Sequence, residues 1–270
     1  MVLQRVPAGS FWIRALFSLV VLGFSLPGIT AQSDDEPGAQ TPSAYDLVAA
    51  AIDLTRGLTS YTEMTMTVKR PEWMRESSLV AWTRGREDAL IRFTAPSRDA
   101  GNATLKQGDS MWTFTPKLNR TIRLPYSLMS QSWAGSDFSY NDLSRTGALL
   151  KHYTLTIVSV AEQDGHTVYT IDAVPAEDAP VVWGKEQLVL RDDNVLLEQT
   201  FFDQGLQPLK KLSTLEIAER GGRIMGTRMR MANLEEPDKY TEISYEAAEF
   251  DLQIEDEKFT LFSLQAGGRN

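Results

Sequence analysis

The hydrophobic positions of this chain follow two different periods. Between residues 43 and 57 apolar side chains recur every three or four positions, which predicts an amphipathic helix with Ser43 as its N-cap and Gly57 at its C-terminal end. Between residues 61 and 250 apolar and polar side chains alternate, as in strands with one buried face. A short closing helix is predicted over residues 256–262, with Asp256 as its cap.

Turn-forming pairs interrupt the alternating region about every ten residues, and their Gly, Asp and Asn residues tolerate the positive φ of tight hairpins. This spacing predicts an antiparallel meander of about ten strands and few helices. We expect a mainly β fold in which a single large curved sheet forms an unclosed half-barrel covered by helices. A closed barrel and a two-sheet sandwich are the alternatives.

The start of the chain has the composition of a signal peptide. Arg5 and Arg14 accompany an apolar run over residues 15–26, which is too short to span a bilayer comfortably. Small residues around Ala31 predict cleavage after it and export to the periplasm; a retained N-terminal anchor is the alternative. Residues 32–42 are polar and acidic and predict a disordered spacer before a domain over residues 43–265.

Composition excludes some classes of partner and cofactor. The chain has no cysteine, so its stability comes from hydrophobic burial without disulfides. The leader carries two of the 27 basic residues, which leaves 25 basic against 36 acidic residues and a net charge of −11. This charge argues against nucleic acid and against anionic headgroups as the bulk partner, and we expect a monomer.

The common sequence motifs of enzymes and metal sites are absent. The chain contains no His-Glu-x-x-His, no cysteine pair, no Gly-x-Ser-x-Gly elbow and no glycine-rich phosphate loop. We therefore expect no catalysis, no metal and no cofactor. The alternative is a hydrolase that uses two carboxylates of the concave face. Such a pair of carboxylates would stand about 5–10 Å apart in a cleft.

The most distinctive motif covers residues 111–143, where an aromatic strand, a proline and a basic strand precede a glycine-containing loop. The segment resembles the bacterial outer-membrane lipoprotein-sorting family, which has the LolA-like fold. The order of leader, helix and strands agrees with that family over nearly the whole mature chain. The matching residues are Trp112, Phe114, Pro116, Leu118, Arg120 and Arg123 in the first half, and Gly135, Ser136, Asp137, Phe138, Tyr140, Asp142 and Leu143 in the second.

The resemblance implies an unclosed barrel whose concave face binds acyl chains of lipids or lipoproteins, for transfer through the periplasm towards the outer membrane. It also suggests Arg84 as a gating arginine, although Gly85 follows where the family pattern has proline. Proteins resembling this chain are often associated with export pumps of the resistance-nodulation-division type. An accessory module of such an inner-membrane pump is therefore the alternative function.

Methionine and aromatic side chains are the candidate lining of an acyl-binding surface. A flexible thioether adapts to an apolar ligand, and the alternative for each such residue is ordinary core. The candidates are Met64, Met66, Trp82, Ile91, Phe93, Trp112, Phe114, Met129, Trp133, Phe138, Phe201 and Met229.

The charged residues of the motif have two interpretations each. Arg120 and Arg123 either recognise a phosphate or an acidic partner, or protect a strand edge from aggregation. Asp137 and Asp142 either form ion pairs with these arginines and hold the loop over the strand, or serve as helix caps, with Asn141 or Asp142 starting a short helix.

Overall fold

One antiparallel sheet dominates the computed structural model, which describes residues 42–179, 181–236 and 238–266. Within these ranges the sheet has 13 strands. They are β1 (Thr59–Lys69), β2 (Met74–Arg84), β3 (Asp88–Ala95), β4 (Ala103–Gln107), β5 (Ser110–Thr115), β6 (Arg120–Arg123), β7 (Tyr153–Gln163), β8 (His166–Pro175), β9 (Lys185–Arg191), β10 (Leu196–Phe202), β11 (Pro208–Arg220), β12 (Arg223–Asn233) and β13 (Tyr240–Phe250).

The strand order is β6-β5-β4-β3-β2-β1-β13-β12-β11-β10-β9-β8-β7. β6 and β7 follow each other in the chain but form the two opposite edges, so the sheet is unclosed, as predicted. The segment that joins them, residues 124–152, therefore runs from one edge towards the other, and we call it the crossing segment. No helix among the described residues is long and apolar enough to cross a membrane.

The strand count exceeds the prediction because two strands lack a visible alternation. β4 is buried at four of its five positions. β11 has no buried position at all. Neither pattern has the period of a half-buried strand, so alternation along the sequence could not predict them.

Among the described residues there are four α-helices, and all but the first are short. They are α1 (Ala44–Arg56), α2 (Tyr140–Ser144), α3 (Ala148–His152) and α4 (Leu261–Ala266), accompanied by 3-10 turns at Pro116–Leu118, Tyr126–Leu128 and Asp256–Phe259.

Both ends of α1 follow the prediction. The Ser43 hydroxyl accepts a hydrogen bond from the backbone N–H of Asp46 (3.1 Å), and Gly57 ends the helix with a φ of 59°. The predicted closing helix over residues 256–262 is wrong in detail. A 3-10 turn occupies its first part, and extended Thr260 interrupts it and accepts a hydrogen bond from the backbone of Ser263 at the start of α4.

The two faces of the sheet are covered by different parts of the chain. β7–β9 pack against Leu47 and Val48 of α1, and β1–β3 pack on the same face against Trp133 of the crossing segment. On the opposite face, β3–β5 pack against Phe259 and Leu264. α1 contacts β7, β9 and β12, and we call the face of the sheet towards α1 the concave face.

The predicted signal peptide and all but the last residue of the predicted spacer, residues 1–41, lie outside the described residues. The domain over residues 43–265 stays a prediction.

Candidate ligand-binding site

An apolar cavity of about 160 Å³ lies between α1 and the concave face. Val48, Ala51 and Ile52 of α1 form one wall, and Leu188 and Met229 belong to the opposite wall on the sheet. Cavities of about 150 Å³ with such walls remain dry and accept a benzene-sized molecule. The cavity is therefore an apolar binding space that is already open beneath the helix.

Four of the predicted lining residues form one cluster on the concave face. Met66 and Phe93 are buried there, and Met64 and Ile91 pack beside them. Trp133 and Phe138 of the crossing segment cover this cluster, so all six side chains pack together between the sheet and the segment.

Three other predicted lining residues lie on the opposite face of the sheet. Trp82, Trp112 and Phe114 pack in the cluster around Phe259 and Leu264. The reason is strand phase, because the side chain of Trp82 points away from its buried neighbours in β2, which face α1 and the crossing segment. These tryptophans thus share no surface with Met64.

The three remaining predicted lining residues lie apart from one another. Met229 lines the cavity beneath α1. Phe201 is buried against the ring of Trp183, with 5.3 Å between the ring centroids. Met129 lines a separate groove at the β6 edge. Met229 is therefore the one member of the predicted set among the described residues that line the cavity.

The glycine-containing loop serves to insert Trp133 into the core. Ala134 and Gly135 have φ values of 53° and 70°, a turn that glycine adopts without strain. The buried hydroxyl of Ser136 donates to the Trp133 carbonyl oxygen (2.7 Å), which closes the turn. The Trp133 indole, 4% exposed, donates from Nε1 to Thr104 Oγ1 (3.1 Å) and lies 5.5 Å from the Phe93 ring.

Both aspartates of the motif anchor the crossing segment, but through partners that differ from the predicted arginines. Asp137 pairs with Arg70 (3.0 Å) and accepts from the Thr241 hydroxyl (2.7 Å). Asp142 pairs with Lys210 of β11. The prediction of pairs with Arg120 and Arg123 is wrong, because both arginines are exposed at the β6 edge while the loop folds over β1 and β13.

Asp142 also completes the capping box of α2. Its carboxylate accepts from the Ser139 backbone N–H (2.7 Å), and its own N–H donates to Ser139 Oγ (3.2 Å). Asp142 thus takes part in capping α2, but the predicted start of the helix at Asn141 or Asp142 is wrong, because Ser139 is the N-cap. Burial alone would raise the pKa of Asp142, but the charges of Lys210 and Arg145 outweigh it and hold the pKa below its ordinary value.

A second buried ion pair joins the crossing segment to β9, and sequence reasoning missed it. Arg145 binds the Glu186 carboxylate through both terminal nitrogens, and Gln199 Nε2 donates to the same carboxylate (2.7 Å). Glu186 is fully buried. The sequence does contain a sign of this buried pair. In the alternation of β9, Glu186 occupies a core position two residues before buried Leu188.

Arg84, the predicted gating residue, makes its contacts with the C-terminal segment. It pairs with Asp88 (2.8 Å) and Asp256 and lies over the Phe259 ring, 4.8 Å from its centroid. The Asp88 hydrogen bond raises the pKa of Arg84. Arg56, at the C-terminal end of α1, links that helix to the sheet by donating to the carbonyl oxygens of Gly85 (2.7 Å) and Asp88 (2.8 Å).

Comparison with solved structures shows three chains with the same architecture, and a comparison with curated protein sequences found no match. A DUF1329 family protein from Desulfovibrio piger has a TM-score of 0.74 at 22% identity, covering 82% of this chain and 98% of its own. An outer membrane lipoprotein-sorting protein domain from Vibrio parahaemolyticus has 0.71 at 21%, covering 82% and 97%. The LolA superfamily protein NE2245 from Nitrosomonas europaea has 0.68 at 17%, covering 82% and 98%.

At these identities the three structures establish the fold. In addition, the model of a family described as uncharacterized protein matches residues 85–266, two thirds of the chain. The match begins at the β2–β3 turn and ends with α4, so it includes the crossing segment and both buried ion pairs. The chain therefore belongs to this family, described as uncharacterized protein, and it has the fold of the LolA superfamily protein NE2245.

Proposed function

We propose that this protein is a periplasmic, non-enzymatic carrier that holds acyl chains of lipids or lipoproteins between α1 and the concave face for transfer towards the outer membrane. The observation that carries the proposal is the apolar cavity beneath α1, which is formed by helix and sheet together. The predicted leader supports the location. The name of the Vibrio protein supports acyl-bearing cargo.

The size of the cavity defines how the carrier works. About 160 Å³ accepts a ring-sized group, so a complete acyl chain requires α1 to move away from the sheet. Each methylene that enters contributes about 0.8 kcal/mol, which offsets the loss of the contacts between helix and sheet. Binding and helix displacement are therefore coupled, and the closed form keeps the apolar walls out of water between loadings.

The attachment of α1 suits such a movement. Its C-terminal end is held by polar contacts: Arg56 donates to the β2–β3 turn, and Arg223 donates to the carbonyl oxygens of Asp53 (3.0 Å) and Leu54 (3.1 Å). Its N-terminal half is held by the apolar packing of Leu47 and Val48. An acyl chain can replace these apolar contacts with apolar contacts of its own, whereas it cannot replace the hydrogen bonds at the C-terminal end. We therefore expect α1 to pivot about its C-terminal end.

The carboxylates beneath the crossing segment support a binding role. Glu186 is held by Arg145 and Gln199, and Asp142 is held by Lys210 and the α2 cap. A general acid or base requires a proton position that a substrate can reach. Both groups instead fix the crossing segment to the sheet.

Filling the cavity tests the proposal. In Ala51→Phe a phenyl group enters the space beneath α1, and we expect the affinity for a fluorescent fatty acid to fall about tenfold or more, because a cavity of this size is occupied by one ring. Ala50→Phe is the matched control, since Ala50 lies on the same helix and is not among the described lining residues.

Equal binding by the two variants would refute the acyl site beneath α1. A protein that binds no acyl chain, yet forms a complex with an inner-membrane export pump that survives Ala51→Phe, would be the accessory module instead.

A further inference from the structure

A second, larger cavity at the β6 edge has walls of two kinds. It is a groove of about 660 Å³ between the β4–β5 turn, the start of the crossing segment and helices α2 and α3. One wall is apolar and contains Met111, Leu124, Pro125 and Met129. The other wall is polar and carries nitrogen donors. We call this cavity the edge groove.

Two buried donors of the polar wall have no hydrogen-bond acceptor among the described residues. They are Nδ2 of Asn141, a residue that is 5% exposed, and Nε of Arg145, whose other two nitrogens bind Glu186. A buried donor without an acceptor costs about 1–3 kcal/mol. Both residues line the edge groove, and a ligand whose oxygen atoms reach these two donors would remove this cost.

Three basic side chains, Lys106, Arg123 and Arg145, line the edge groove, and carboxylates already pair with two of them, Lys106 and Arg145. Lys106 lies in its wall but is engaged by Glu87, to whose carboxylate and carbonyl oxygen it donates (3.1 and 2.6 Å). Arg123 at the rim donates to the Ser110 hydroxyl (2.9 Å) and lies over the Trp112 ring, so its charge is available to an anion. Asp109 is the one acidic side chain among the described lining residues.

We propose that the edge groove binds the anionic, oxygen-rich head group of an amphiphile, a phosphate or a carboxylate, whose acyl chain enters the space beneath α1. The inference rests on the proposed function and names the ligand class. Residues 145–149 of the crossing segment lie between the two cavities: Arg145 and Ala148 line the edge groove, and Thr146 and Leu149 line the cavity beneath α1. In the proposed complex one ligand contacts both sides of residues 145–149.

Two ligands with the same acyl chain test the head group. Lysophosphatidic acid and the uncharged monoacylglycerol compete against a neutral fluorescent probe, N-phenyl-1-naphthylamine, on the purified mature protein. We expect lysophosphatidic acid to bind about tenfold more tightly, because charge-assisted hydrogen bonds form only with its phosphate. Inorganic phosphate alone is the third ligand, and we expect it to bind far more weakly than lysophosphatidic acid.

Variants assign the preference to the edge groove. Arg123→Gln and Asn141→Leu should each lower the affinity for lysophosphatidic acid about threefold more than the affinity for monoacylglycerol. Asn141→Leu removes a buried donor that has no partner, so the fold should keep its stability. Arg120→Gln is the matched control, an exposed arginine on the same strand that is not among the described lining residues.

The outcomes separate the two proposals. Equal affinity of the wild-type protein for both amphiphiles overturns the head-group site and leaves the acyl carrier standing. A preference that survives both groove variants also overturns it. If inorganic phosphate binds as tightly as lysophosphatidic acid, the edge groove is a site for free phosphate, and the assignment of an amphiphile as its ligand is overturned. No binding of either amphiphile refutes the carrier itself.

Discussion

The Asp142–Lys210 pair fixes the middle of the crossing segment to β11, and its two side chains are 6% and 12% exposed. Burial lowers the pKa of Lys210 even though Asp142 opposes that shift. The pair is thus stable only as a unit, because either charge left alone at this depth is strongly unfavourable. Sequence position gave no indication of this partner, since the two residues stand 68 positions apart.

Replacing the carboxylate gives a pH-dependent loss of stability. Asp142→Asn should lower the free energy of unfolding by about 3 kcal/mol at pH 7, because Lys210 loses its buried partner. The pKa of Asp142 in the folded protein lies below its ordinary 3.8, so its contribution is complete above that value and disappears as the pH falls through the folded-state pKa. Urea titrations between pH 7 and pH 3 should show the difference from wild type shrinking below about pH 4.

The control is Asp164→Asn, which changes an exposed carboxylate at the β7–β8 turn and should leave stability unchanged throughout. A difference between Asp142→Asn and wild type that grew towards acidic pH would contradict the assignment.

At the scale of elements, α1 and the strands with one buried face were predictable because each shows its own period. Which face of the sheet each strand residue occupies was harder to predict. Trp82 looked like concave lining, and it packs on the opposite face because Leu79 and Ala81 occupy the buried phase of β2. The cavity beneath α1 was not predictable residue by residue, since helix and strands far apart in sequence supply its walls.

The C-terminal end of α1 depends on Gly57. Its φ of 59° disfavours other residues, and a Cβ there would stand 2.6 Å from Asp251 Oδ1, which accepts from the Leu58 N–H. Gly57→Ala should therefore cost about 2–3 kcal/mol of unfolding free energy in urea titrations. Gly85→Ala is the matched control, with a φ of 51° and open space around the position, and should cost about 1 kcal/mol.

Equal losses of unfolding free energy in the two glycine variants would contradict this account. They would show that the Asp251 side chain moves aside without cost, and that its contact does not fix the end of α1.

At the scale of the whole molecule, segments outside the sheet cover the concave face of the unclosed sheet. α1 and the crossing segment cover the concave face, and only the crossing segment is held by two buried ion pairs. α1 rests on apolar packing over most of its length, so it is the part that an acyl chain can displace. A rival apolar hollow of about 420 Å³ lies on the opposite face, where Trp82, Ile254 and Phe262 line it.

Photo-crosslinking decides between these two spaces most directly. A fatty acid with a diazirine at its methyl end is bound to the mature protein, and the complex is irradiated. The labelled residues are then identified by mass spectrometry. The carrier account predicts labels on α1 between Val48 and Thr55 and on Leu188, Leu212 or Met229, and their loss in Ala51→Phe. Labels confined to Trp82, Ile254 or Phe262, or labels beneath α1 that persist in Ala51→Phe, would contradict it.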